Sequence, residues 1–100
     1  MYIEPYKTRE EALRAIRDAI VRRAGGRLVA WRRILNTGTP RYCALGAYAL
    51  EAHGEPTNVV DEINPDWRKE VTRVNDHPRW ETEEQRYERV VAWLNDQLGE

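Results

Sequence analysis

Apolar residues recur every third or fourth position in three stretches of the chain, a period that predicts amphipathic helices. In the first, Leu13, Ile16 and Ile20, with Ala12 and Ala19 beside them, form a narrow stripe. Thr8-Arg9-Glu10-Glu11 ahead of it reads as a capping box, and Gly25-Gly26 behind it as a stop, so a helix is predicted over about 8–24. A second stripe, Trp67, Val71 and Val74, follows the cap signal Asn64-Pro65-Asp66 and predicts a short helix over about 65–75. The third, Tyr87, Val90, Val91, Leu94 and Leu98, follows Thr82 with Gln85 in the capping-box place and predicts a helix over 83–98.

Two other segments lack a clean period. From Cys43 to Leu50 nearly every residue is apolar, which marks a helix buried on all sides. Thr39 as cap, Pro40 at the first helical position and Gly54 as stop would bound it at 40–53. Cys43, Gly46, Ala47 and Leu50 would then form a face of mostly small residues for close packing. Leu28 to Leu35 fits a helical face through Leu28, Trp31 and Leu35, or a strand alternation through Val29, Trp31, Arg33 and Leu35. A helix is favoured there, because a lone strand needs a partner and no second strand is evident; a β-ribbon arm is the alternative. Thr57-Asn58 would start a single turn through Val59, Val60 and Ile63, and Asn75-Asp76-His77-Pro78 reads as a turn. The expected fold is an all-α bundle of four to five short helices in one domain spanning residues 1–100.

Charge changes the picture, because it is uneven along the chain. Residues 19–50 hold Arg22, Arg23, Arg27, Arg32, Arg33 and Arg41 and no acid, whereas residues 51–100 carry thirteen acids against six bases. The formal net charge is −1, and arginine outnumbers lysine fourteen to two. Arginine's planar fork suits carboxylate and phosphate pairing. The acidic half is therefore expected to fold back on the basic middle, or the middle to face an acidic partner.

The single cysteine cannot form an internal disulfide, the first residues lack the basic-then-apolar pattern of a signal peptide, and no apolar run approaches the ~20 residues of a membrane span. A soluble cytoplasmic protein is expected. There is no Cys-x-x-Cys or His-x-x-x-His pair for a metal and no glycine-rich phosphate loop, so neither metal nor cofactor is expected.

Cys43 is the one candidate nucleophile. A cysteine hydrolase would use it with His77 as base and Asn75 or Asp76 as orienting group, helped by the helix dipole and Arg41. His53 lies about 15 Å further along the same predicted helix, too far to serve. The alanines and leucine around Cys43 argue instead for a thiol that is packing material. A nucleic-acid-binding accessory protein using the basic 22–41 segment, with Trp31 and Tyr42 interleaved, is a second alternative. The helix after it, rich in Ala, Leu, Tyr and Gly, offers little to read a groove.

The segment Arg41-Tyr42-Cys43-Ala44-Leu45-Gly46-Ala47, followed by Val74-Asn75-Asp76-His77-Pro78 and an acidic-led closing helix, resembles a group of small uncharacterised proteins. This domain of unknown function occurs in actinobacteria and their phages. Its turn usually continues Gly-Arg-Thr, where this chain has Arg79-Trp80-Glu81-Thr82, and residues 28–35 match it poorly. The resemblance implies a helical fold and an actinobacterial or phage setting, and no reaction.

Four tryptophans in a hundred residues exceed what the stripes accommodate: Trp80 falls in a turn and Trp93 off the Val91–Leu94 face. Exposed tryptophan beside arginine is the composition of an interaction anchor. The expected function is thus a non-enzymatic protein-interaction module, plausibly phage-encoded and acting on a host protein through Arg22, Arg23, Arg27, Trp31, Arg32, Arg33, Arg41, Trp80 and Trp93. Self-association through the same surface is a further expectation, basic middle against acidic half.

Overall fold

Each helix starts where a side chain can accept its first free amides. In the computed structural model, which describes residues 6–31, 34–35, 38–56 and 61–100, helix α1 spans Arg9–Arg23. The Thr8 hydroxyl accepts the Glu11 N–H at 3.1 Å, and Glu10 and Glu11 sit at the positive end of the dipole. Beyond Arg23, Gly25 and Gly26 adopt positive φ (62° and 80°) and turn the chain away. Helix α3, Pro65–Asn75, has Asn64 as cap and Pro65 in its first turn; helix α4, Glu83–Leu98, is capped by Thr82. Gln85 donates its N–H to Thr82 at 2.9 Å while its side-chain oxygen accepts from the Glu81 N–H at 2.7 Å. That reciprocal pairing satisfies two otherwise free donors.

Helix α2, Ala44–His53, begins later than its sequence signals suggest. Thr39 and Pro40 are exposed and lie outside it, and Cys43 is the cap. Its sulfur accepts the Gly46 N–H at 3.3 Å, and its carbonyl accepts the Ala47 N–H at 2.9 Å. Arg41 and Tyr42 are instead extended, forming strand β2 against β1, Ile34–Leu35. The ribbon is antiparallel, with Ile34 opposite Tyr42 and Leu35 opposite Arg41.

The helix favoured for 28–35 is therefore not what the described part of that segment forms. Leu28 donates its N–H to the Glu83 carbonyl (3.1 Å) and Val29 to the Tyr42 carbonyl (3.0 Å), so these amides are satisfied across the fold. The second strand that seemed to be missing is two residues long, too short to announce itself as a period-2 pattern. The turn expected from Thr57-Asn58 lies outside the described residues.

One hydrophobic cluster draws on all four described helices. Leu13, Ile16 and Ile20 of α1, Ala44 and Ala47 of α2, Val71 of α3, and Val90 and Leu94 of α4 are fully buried, together with Leu28 and Ile63. Helix α1 packs chiefly on α2 and α4, and α3 bridges α2 and α4. As the all-apolar sequence requires, α2 is central: Ala44 through Ala49 are all buried. Full burial of each large aliphatic side chain stabilises the fold by about 1.5–3 kcal/mol before entropy is charged. The molecule is an all-α globule with one short ribbon.

Candidate functional site

Asn75, the last residue of α3, sits on the same stripe as Val71 and is only 2% exposed. A buried amide must place its donors and its acceptor, and Asn75 does so across three segments. Its oxygen accepts the Ala44 N–H, the first free donor of α2, at 3.0 Å. Its nitrogen donates to the Val29 carbonyl at 3.0 Å and to the Asp76 carboxylate at 2.8 Å. Its own carbonyl accepts from the Arg86 guanidinium of α4, which also donates to the Trp80 carbonyl at 3.2 Å. One residue thus ties the start of α2, the segment at Val29, the end of α3 and α4.

The consequence falls on Trp31. Its N–H donates to the Asp76 carboxylate at 3.0 Å, its φ is +67°, and it is 81% exposed. A left-handed conformation costs a bulky L-residue about 1–2 kcal/mol, and here it holds an indole out in solvent. The other three tryptophans are half-buried. Trp67 and Trp93 pack against the core, and the Arg9 guanidinium lies 6.0 Å from the Trp93 ring. Trp80 donates its indole N–H to the Val74 carbonyl at 2.8 Å, stacks near His77 (4.9 Å) and lies 5.6 Å from the Arg89 guanidinium. Of the three tryptophans predicted to bind a partner, only Trp31 stands open.

The predicted arginine surface is divided. Arg23 pairs with Glu51 at 3.2 Å and Arg41 with Glu83 at 3.0 Å, so part of the acidic half does fold back on the basic middle. Arg22 and Arg27 are exposed and have no carboxylate partner among the described residues; Arg32 and Arg33 lie outside them. The would-be catalytic groups are engaged separately. Cys43 is 6% exposed with its sulfur accepting from the Gly46 amide, His77 Nδ1 accepts the Arg79 N–H at 3.1 Å, and Asn75 is committed as above. Among the described residues no group of three or more His, Cys, Asp or Glu side chains could hold a metal ion. No described helix is long and apolar enough to cross a membrane.

A second polar centre lies at Glu62, 4% exposed, beside Ile63. One carboxylate oxygen accepts from the Tyr48 hydroxyl and from His53 Nε2, each at 2.7 Å, and Tyr6 joins through the Tyr48 hydroxyl at 3.0 Å. Burial alone would raise the Glu62 carboxyl. The donations from Tyr48, the backbone and His53 outweigh it and hold the group below the usual carboxylate range. Burial, followed by its bonds to Tyr6 and Glu62, pushes the Tyr48 hydroxyl far above its ordinary value. This centre fixes the start of the described chain and the end of α2 to the 61–63 turn.

Sequence reasoning missed both centres, naming Asn75 and Asp76 only as orienting groups of a hydrolase. Asn75 could have been found, since it stands four residues after Val71 and on the apolar face; an amide there is buried and must be bonded. Glu62 carries no such signal. Comparison with known protein families, with curated proteins and with solved structures finds no match for this chain.

Proposed function

We propose that this protein is a non-enzymatic protein-interaction module whose anchor is Trp31. The observation that carries this reading is the exposed indole at φ +67°, held there by the Asp76 carboxylate through a buried Asn75. Backbone strain retained at an exposed aromatic residue points to a role outside the fold's own stability. Tryptophan and arginine dominate binding energy where they are desolvated by a partner, and Arg22 and Arg27 supply exposed cations nearby in sequence. The fitting partner carries an apolar pocket for an indole and a carboxylate beside it. The resemblance to small actinobacterial and phage proteins suggests a host protein.

The test is affinity capture from an actinobacterial lysate with the wild-type chain and with Trp31→Gly, a variant the backbone geometry favours. Proteins retained by the first and lost by the second support the reading. Recovery of the same proteins by both sinks it. The nucleic-acid reading rests on Arg22 and Arg27; binding to random-sequence DNA that weakens steeply with salt would favour it, and absence of binding at low salt removes it.

A further inference from the structure

We propose that the partner is held by strand addition: an extended acidic segment pairs with the outer edge of β1 at Ile34. This inference rests on the interaction-module reading and names the form the partner takes. The phase of the ribbon decides which way Ile34 faces. In an antiparallel pair, opposed residues alternate between those that exchange both backbone bonds and those that exchange none. A ladder bonded at Ile34–Tyr42 and continuing past Leu35–Arg41 would next need an N–H from Pro40, which has none. The Tyr42 carbonyl, moreover, accepts the Val29 N–H from outside the ribbon. Leu35–Arg41 is therefore the hydrogen-bonded pair and Ile34–Tyr42 the other kind. Ile34 thus turns both its N–H and its carbonyl away from β2.

Neither group meets a backbone partner among the described residues, whereas the β2 side of the ribbon is covered by Val29. The Ile34 side chain is 36% exposed, and Trp31, 81% exposed, precedes it by three positions. An outward N–H and carbonyl beside exposed apolar side chains form the kind of edge to which an extended peptide adds. Charge selects the occupant. Residues 27–41 hold Arg27, Arg32, Arg33 and Arg41 and no acid. Pairing β1 with the β1 of a second copy would set two arginine-flanked strands, Arg32-Arg33-Ile34 in sequence, side by side. Like charges across a strand pair are unfavourable and opposite charges favourable, so the same arginines that repel a copy attract an acidic segment.

The probe is a displayed library of random dodecapeptides selected on the full chain, with the best binder synthesised and titrated by amide hydrogen exchange. The selected peptides should be acidic and free of proline at their centre, and the Ile34 amide should exchange at least about tenfold more slowly at saturation. Ile34→Pro deletes the outward N–H and leaves the Leu35–Arg41 bonds in place. It should keep the melting temperature and weaken the peptide about tenfold, whereas Ile34→Val should bind as wild type does. The proposal is overturned if no peptide is selected, if the selected set is neutral or basic, or if Ile34→Pro binds equally. An Ile34 amide that exchanges as fast with peptide as without overturns it too. Peptides that slow Ile34 exchange but bind Trp31→Gly equally would uphold the edge while removing Trp31 as anchor. Lysate proteins retained through Trp31 but equally by Ile34→Pro would keep the anchor and sink the edge.

Discussion

Replacing Asn75 with leucine removes a side chain of similar size and leaves its partners in place, so the cost isolates the hydrogen bonds. Among the described residues, two buried backbone groups then lose their partner: the Ala44 N–H at the start of α2 and the Val29 carbonyl. Each orphaned buried group costs about 1–3 kcal/mol, so Asn75→Leu should lose about 2–6 kcal/mol. Against a total of roughly 5–15 kcal/mol for a domain, that is a large fraction. Urea unfolding followed by far-UV circular dichroism would measure it, with an unchanged slope showing that the denatured state is not responsible. Asn75→Asp keeps the acceptor facing Ala44 but sets a second carboxylate against Asp76, and a loss of similar size is expected. A loss below about 1 kcal/mol for Asn75→Leu would refute the reasoning, because bonds of this kind cannot be both buried and dispensable.

Trp31→Gly should leave stability unchanged or raise it by up to about 1.5 kcal/mol, since relief of ~1–2 kcal/mol of left-handed strain is partly offset by ~0.5–1 kcal/mol of glycine entropy. A clear loss in the same urea assay would show that the indole supports the fold. Cys43 should resist iodoacetamide in the native protein and react on denaturation; Cys43→Ala should cost about 1 kcal/mol as a lost cap, with Cys43→Ser costing less, and rapid native labelling at neutral pH would reopen the hydrolase reading. Glu62 has a folded pKa below its unfolded value, so its contribution is present above the unfolded carboxylate pKa of ~4.3 and is lost as pH falls through the folded value. The stability gap between wild type and Glu62→Gln should therefore narrow between pH ~5 and the acid limit, and a gap that stays constant would contradict the assignment.

The helices were legible because their caps and periods agree: Thr8, Asn64 and Thr82 all serve where the sequence puts them. The start of α2 was not, because Thr39-Pro40 imitates a helix start while Cys43, a weak acceptor, performs the capping. The ribbon was legible only as the alternative for 28–35, because a two-residue strand has no period of its own; Leu28 and Val29 ahead of it donate their amides to Glu83 and Tyr42, and the Val29 carbonyl accepts from Asn75. Trp31's exposure follows from the Asp76 contact forty-five positions away, a long-range bond that no local pattern encodes. Trp80 and Trp93 looked unplaced by helical phase alone; a backbone carbonyl and the Arg89 guanidinium accommodate Trp80, and the core and the Arg9 guanidinium accommodate Trp93.

That one indole is held in water while its three counterparts are packed can be read directly by fluorine NMR. In protein labelled with 5-fluorotryptophan, the resonance assigned by its loss in Trp31→Gly should show by far the largest shift between light and heavy water, with those of Trp67, Trp80 and Trp93 well below it. If the Trp31 signal proves as shielded from solvent as the others, the indole is part of the packing. The surface on which the functional proposal rests would then not exist.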